Sequence, residues 1–116
     1  MSDETRRLDV EVTAVDGAQV VRVRGEVDLQ TAPRLRELLL ASAKGLRDVV
    51  RIDLSQVPYM DSSGVGTMVF VKRAMERAGA RVVLIGLQPR VRSLFEITHL
   101  DKFFTIVSTI DEAAAP

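Results

Sequence analysis

The chain has 116 residues, no cysteine and one histidine, and its 16 basic and 16 acidic side chains give a formal net charge of zero. This length is enough for a single domain with its own hydrophobic core. The composition excludes disulfides, zinc–thiolate centres and metal sites built on several histidines. The balanced charge argues against direct binding to nucleic acid, and the longest apolar run, near residues 65–71, is too short to span a bilayer. We therefore expect a cytoplasmic domain without a metal ion or cofactor.

Two runs at the start of the chain predict a β-hairpin. Residues 8–15 and 19–25 alternate apolar with polar side chains on either side of the turn Asp16-Gly17. Helical patterns then alternate with strand patterns at residues 49–54, 81–87 and 105–108. Strands separated by helices pair in parallel through right-handed crossovers. The order predicts an α/β fold with one small mixed sheet, mostly parallel, in which the hairpin forms an antiparallel edge.

About four helices are predicted to accompany the sheet. The first follows Thr31, which is suited to an N-cap, and buries Leu35, Leu38 and Leu39. The others are predicted from Asp61 or Ser62 to Ala78, from Pro89 to about Thr98, and from about Asp111. The domain then covers residues 8–112, with flexible ends at residues 1–7 and 113–116.

The segment from Pro58 to Gly66, which reads PYMDSSGVG, has the clearest chemical implications. Asp61, Ser62 and Ser63 place an acid and two hydroxyls at the predicted start of the second helix. The simplest interpretation is helix capping, because Asp and Ser are good N-caps and glycine permits close packing. The backbone N–H groups at a helix start also bind phosphate well, and a phosphate on Ser62 would alter any docking there.

A turn of 100° per residue separates two faces of this helix. The face expected to pack on the core contains Met68, Val71, Ala74, Met75 and Ala78. The opposite face is charged near its C-terminal end and apolar near its N-terminal end, where Val65, Gly66 and Val69 lie beside Ser62. An apolar patch with a charged rim is typical of a protein–protein interface. The alternative is that a neighbouring loop of the same chain covers the two valines.

The run Asp61-Ser62-Ser63-Gly64-Val65-Gly66 resembles the phosphorylation motif of the bacterial anti-sigma factor antagonists, which are single-domain members of the STAS family. Further segments resemble that family in the same order: Gly25-Glu26-Val27-Asp28 with Thr31-Ala32-Pro33, Arg51-Ile52-Asp53-Leu54 with Val57, Pro89 to Phe95, and Thr98-His99-Leu100. The resemblance extends over about residues 8–112 and implies the STAS fold.

The resemblance also implies a partner switch that regulates transcription. The unphosphorylated protein binds an anti-sigma factor that is also a serine kinase, and this binding releases the sigma factor. The kinase phosphorylates the first hydroxyl of the motif, which corresponds to Ser62, and a PP2C-type phosphatase removes the phosphate. Together with the helix faces, this predicts a docking surface that contains Asp28, Asp61, Ser62, Ser63, Gly64, Val65, Gly66 and Val69. We expect a monomer that contacts neither nucleic acid nor membrane directly.

Two other functions are compatible with parts of the sequence. A serine hydrolase could combine Ser62 with His99, but Met60 stands where the first glycine of the nucleophile elbow Gly-x-Ser-x-Gly belongs. A phosphate-binding P-loop is also absent, and His99 is expected to be a surface or capping residue, so we expect no catalysis. A STAS-domain regulatory subunit of a membrane transport system would share the fold and differ in its partner.

Overall fold

A five-stranded sheet forms one layer of the domain in a computed structural model that describes residues 8–15, 17–46 and 48–109. The strands are β1 Leu8–Val15, β2 Ala18–Gly25, β3 Val49–Gln56, β4 Arg81–Ile85 and β5 Thr105–Val107. They lie side by side in chain order. β1 and β2 are antiparallel, whereas the pairs β2–β3, β3–β4 and β4–β5 are parallel. The predicted mixed sheet with an antiparallel edge is confirmed.

Three helices lie within the described residues: α1 Ala32–Ser42, α2 Ser62–Arg77 and α3 Pro89–Ile97. The fourth predicted helix, from about Asp111, and both predicted flexible ends lie outside them. Strand β4 ends two residues before its predicted end, because Gly86 turns the chain with a φ of 70°. None of the helices in the described ranges is long and apolar enough to cross a membrane.

The helices cover one face of the sheet, because successive right-handed crossovers that advance in one direction all pass on the same side. The main core between these layers contains Leu35 and Leu39 of α1, Met68 and Val71 of α2, Val91 and Phe95 of α3, and Val21, Ile52, Leu54 and Leu84 of the sheet. Leu38, the third residue of the predicted α1 stripe, is only partly buried. Two of the three predicted leucines are therefore core residues.

The parallel pairing of β2 and β3 places their carboxyl ends side by side. Residues 26–31 lead from β2 into α1, and residues 57–61 lead from β3 into α2. Both connecting segments therefore lie at the same end of the sheet, where the parallel strands finish. The Asp-Ser-Ser-Gly motif lies at this end of the sheet, directly after β3.

Candidate functional site

Val27 joins the two connecting segments at this end of the sheet. Its N–H donates to the Tyr59 carbonyl, and its own carbonyl accepts from the Asp61 N–H, both at 3.0 Å. The two bonds form a short parallel bridge between Val27 and Met60, and both of these side chains are buried. The segment 26–31 is therefore fixed against the start of α2.

Asp28 and Thr31 fold the segment 26–31 into a compact turn. Oδ1 of Asp28 accepts hydrogen bonds from the N–H groups of Gln30 and Thr31, at 2.9 and 3.0 Å. The Thr31 hydroxyl accepts from the Asp28 N–H and donates to the Glu26 carbonyl, each at 3.0 Å. Thr31 occupies the N-cap position of α1, but its side chain makes no capping bond. The prediction that it caps is wrong because its hydroxyl is used within the turn and Pro33, in the first turn of α1, has no N–H to donate.

Asp61 is the N-cap of α2, as the sequence predicted. Its Oδ1 accepts from the N–H groups of Ser63 and Gly64, at 2.9 and 3.3 Å, and from the Ser63 hydroxyl. The bond from the Ser63 hydroxyl is the main cause that lowers the pKa of Asp61. The N–H groups of Gly64, Ser63 and Leu29 lower this pKa further, and together they outweigh the opposing effect of burial. Asp61 is therefore firmly ionised at the start of the helix.

The two serines of the motif differ in exposure and in bonding. Ser63 is half-buried, and its hydroxyl donates to Asp61. Ser62 is the first residue of α2 and is exposed, and its hydroxyl has no hydrogen-bond partner within the described part of the chain. An enzyme could modify the Ser62 hydroxyl without breaking any of these contacts, whereas Ser63 would first have to release Asp61.

Gly64 and Gly66 have opposite surroundings. A Cβ at Gly64 would lie 2.5 Å from Cγ of Met60 and 2.7 Å from Cγ1 of Val27, so only glycine lets α2 approach the bridge this closely. A Cβ at Gly66 would meet nothing within 4 Å, and this residue is exposed. Gly64 therefore serves packing inside the domain, whereas Gly66 leaves helix backbone open to an approaching molecule.

The predicted outer face of α2 is wrong at Val65 and only partly right at Val69. Val65 is 4% exposed, and Val69 is half-buried and packs against the core. The buried arc of the helix lies about 40° from the predicted one. The helix also contacts α3, so its buried arc is not centred on the sheet alone. Ala78, which the periodicity places in the core, is exposed. Val65 is thus covered by its own chain as a member of the main core, whereas the alternative named a neighbouring loop as the cover.

The exposed arc of α2 contains Ser62, Gly66 and Phe70, which follow one another at intervals of four residues. The Phe70 side chain is 44% exposed, and the Leu29 side chain in segment 26–31 is 75% exposed. Neither residue belongs to the docking surface predicted from the sequence. The four-residue spacing from Ser62 could have identified Phe70, whereas no local pattern distinguishes Leu29 from a buried leucine.

The described residues contain no group of three His, Cys, Asp or Glu side chains that could hold a metal ion. His99 is exposed just after α3 with a φ of 61°, and its N–H donates to the Glu96 carbonyl at 3.0 Å. This is the surface position at a helix end that the sequence predicted. The chemistry that the site offers is a free hydroxyl beside a fixed carboxylate, within a surface that has exposed apolar side chains.

The comparisons with known proteins agree with the resemblance in the sequence. The STAS domain model matches residues 9–113. An anti-sigma-B factor antagonist of Staphylococcus aureus (strain NCTC 8325 / PS 47) is 37% identical over 94 residues, which cover 80% of this chain and 86% of that protein. A solved structure of an anti-sigma factor antagonist from Mycobacterium paratuberculosis has a TM-score of 0.76 and 31% identity, over 93% of this chain and 92% of that chain.

The Bacillus protein SpoIIAA, an anti-sigma factor antagonist, is similar in both its unphosphorylated and phosphorylated forms. The TM-scores are 0.70 and 0.62 at 26% and 25% identity, over 90% of this chain and 92% and 96% of the two SpoIIAA chains. The family model and the Staphylococcus and Mycobacterium relatives each extend over four fifths or more of this chain. The chain therefore belongs to the STAS-domain family, together with these anti-sigma factor antagonists.

Proposed function

We propose that this chain is a cytoplasmic anti-sigma factor antagonist that changes partners through phosphorylation of Ser62. The unphosphorylated monomer binds an anti-sigma factor that is also a serine kinase, and so releases a sigma factor. Phosphorylation of Ser62 by that kinase ends the binding, and a PP2C-type phosphatase restores it. The observation that supports this most directly is the exposed Ser62 hydroxyl at the first residue of α2.

Asp61 explains why a phosphate on Ser62 would weaken docking. Its carboxylate already accepts from the N–H groups of Ser63 and Gly64, which are groups that a phosphate at a helix start would otherwise bind. The phosphate would bring up to two further negative charges. Two like charges 4 Å apart repel by about 1 kcal/mol in water and by about 4 kcal/mol at an effective dielectric constant of 20. A partner that excludes water would therefore lose about 3 kcal/mol, or roughly a hundredfold in affinity.

Most residues of the docking surface predicted from the sequence are also members of the proposed docking surface. Its exposed or partly exposed members are Asp28, Asp61, Ser62, Ser63, Gly66 and Val69. Gly64 and Val65 lie beneath the surface and support it from the core. Leu29 and Tyr59, which are 75% and 38% exposed, add apolar area from the two connecting segments.

A phosphorylation assay tests the acceptor. Each purified anti-sigma factor of the source organism is incubated with Mg-ATP and this chain, and the product is examined by peptide mapping. We expect one phosphate on Ser62, none on Ser62→Ala, and an unchanged stoichiometry on Ser63→Ala, the matched control. A phosphate found only on Ser63 would contradict the assignment of the acceptor.

A calorimetric titration with the same anti-sigma factor tests the switch. Ser62→Ala should bind like the wild type. Ser62→Asp should bind more weakly than the wild type but more tightly than the phosphorylated protein, because a carboxylate has less charge than a phosphate. Thermal melts should show that both variants remain folded. Equal affinities for the Ala and Asp variants would contradict the electrostatic account. Phosphorylation by none of the anti-sigma factors would instead favour the alternative, a STAS-domain subunit of a membrane transport system.

A further inference from the structure

The exposed arc of α2 continues beyond Ser62 into a surface that the switch itself does not use. Phe70 lies eight residues after Ser62, which is about 12 Å along the helix axis. The guanidinium of Arg36 in α1 lies 4.9 Å from the centroid of the Phe70 ring. Arg73 and Arg77 follow on the same exposed arc. We refer to Arg36, Phe70, Arg73 and Arg77 as the basic strip.

Charge is unevenly distributed between this surface and the rest of the chain. Helices α1 and α2 together contain five basic and two acidic residues, although the whole chain has 16 of each. Of these two acids, Glu76 already forms an ion pair with Lys72. The other ion pairs within residues 8–15, 17–46 and 48–109 use Arg22, Arg24 and Arg92. The three arginines of the basic strip therefore have no carboxylate partner there.

Stacking prepares Arg36 for a carboxylate from another molecule. A guanidinium that lies over an aromatic ring uses its planar face for that contact and keeps its N–H edge available for two parallel hydrogen bonds. The Phe70 ring remains 44% exposed beside it. Arginine next to an exposed aromatic ring is the composition that is enriched where proteins bind one another most tightly.

We infer that the basic strip binds an acidic segment of the anti-sigma partner, in which carboxylates flank an apolar side chain that covers Phe70. This inference rests on the proposed function, because Phe70, Arg73 and Arg77 continue the surface around Ser62 along the exposed arc of α2, and Arg36 of α1 lies over Phe70. A second copy of this chain is a poor occupant, since the same face would oppose arginines to arginines. Nucleic acid is a poor occupant because the chain as a whole has no excess of positive charge.

The two parts of this surface should affect different steps of binding. Arg73 lies eleven residues from Ser62, or about 16 Å along the axis, which exceeds the screening length of about 8 Å at physiological ionic strength. A phosphate on Ser62 therefore leaves the charge of the strip largely unchanged. Charges at the edge of an interface act mainly on the association rate, whereas groups at its closely packed centre act on the dissociation rate.

Binding kinetics at two salt concentrations separate these effects. The purified anti-sigma factor of the source organism is mixed with the wild type, with the double variant Arg36→Glu/Arg73→Glu, and with Arg81→Glu. Arg81 is an exposed arginine at the first residue of β4, on the same side of the strand as Val83 and Ile85, which face away from the helices, and it provides the matched control. We expect the double variant to associate at least tenfold more slowly and with weaker salt dependence, and Arg81→Glu to stay within twofold of the wild type.

Two additional variants test the geometry of the strip. Arg36→Lys/Arg73→Lys keeps the charge and should recover most of the association rate, while Phe70→Ala should accelerate dissociation about tenfold. Thermal melts verify that each variant is folded. If the wild type binds and the double Glu variant associates equally fast, the inference is overturned and the proposed function stands. If the wild type binds none of the anti-sigma factors, the proposed function fails and the inference fails with it.

A labelled single- or double-stranded 20-mer oligonucleotide provides the last comparison. We expect no binding of either oligonucleotide by the wild type at physiological salt. Binding that is lost in Arg36→Glu/Arg73→Glu would make the strip a nucleic-acid site and would overturn the inference.

Discussion

The inward and outward arcs of α2 follow different requirements, although they belong to the same 16-residue helix. On the inward arc, Gly64 and Met68 are in contact with the rest of the domain and leave no space around them. On the outward arc, Ser62, Gly66 and Phe70 are exposed. The comparison shows that the motif combines two tasks, since one part of it fixes the helix and the other part presents a hydroxyl. Substitutions one or two residues apart should therefore report either on folding or on docking.

The largest difference between the arcs is expected for two large apolar residues. Met68→Ala should lower the free energy of unfolding by about 2–5 kcal/mol, because it leaves a cavity in the core. Phe70→Ala should cost only about 1 kcal/mol, because the ring is partly exposed and mainly loses its contact with Arg36. Urea denaturation measures both values. Similar losses for the two variants would mean that the arcs are not distinct.

The next largest effect concerns Gly64. Gly64→Ala should destabilise the domain by about 1–3 kcal/mol, since the new methyl group would overlap Met60 and Val27 unless the backbone moves. Met60→Ala removes one of these two overlaps, so Gly64→Ala should cost less stability when it is added to Met60→Ala than when it is made in the wild type. A tolerated Gly64→Ala would show that α2 is not held against the bridge at Val27.

Asp61 lies at the boundary between the arcs, and its contribution to the stability of the fold should depend on pH. Asp61→Ala removes the N-cap and should cost about 1 kcal/mol at neutral pH. The folded-state pKa of Asp61 is below its ordinary value, so its ionised form stabilises the fold above the unfolded pKa of about 3.9. That contribution is lost as the pH falls through the folded pKa. Asp61→Asn, which still caps but has no charge, should approach the wild type in stability below about pH 4. A constant difference between Asn and wild type from pH 7 to pH 3 would contradict this.

The smallest effect on stability is expected for Gly66, and it has the opposite sign. Gly66→Ala should stabilise the domain by about 0.5–1 kcal/mol, because alanine is the better helix former and the added methyl group meets no neighbour. The same change should weaken binding of the anti-sigma factor if the partner approaches the helix backbone closely. Thermal melts and titrations on one preparation measure both quantities. Unchanged binding would restrict the docking surface to Ser62 and the segment 26–31.

The order of helices and strands and the cap at Asp61 could be predicted from the sequence, because alternation, helix periodicity and capping are local. The boundaries could not be predicted to the residue, since the end of β4 depends on the positive φ that Gly86 adopts in the folded chain, which the apolar pattern does not reveal. Thr31 was misassigned for a similar reason. Its hydroxyl has two possible uses, and only the conformation of segment 26–31 decides between them.

The phase of α2 was the main error at the site. A helix that contacts a sheet and two other helices is buried over a wide arc, and its hydropathy pattern does not fix the centre of that arc. Two alanines shifted the predicted core toward Ala78, so Val65 was assigned to the surface. The exposure of Leu29 is also a tertiary property, because it depends on how segment 26–31 folds against α2.

The bridge at Val27 has a consequence for the thermodynamics of binding. Ordering one residue of a flexible loop costs about 1–2 kcal/mol of conformational entropy. Because the peptide groups of Val27 are already bonded to Tyr59 and Asp61, the segments 26–31 and 57–61 beside Ser62 are preorganised before any partner arrives. The remaining entropic penalty falls on a few exposed side chains such as Leu29 and Phe70. Under the proposed function, a partner would therefore meet a backbone that is already ordered, and a phosphate on Ser62 would weaken the interaction without a change of fold.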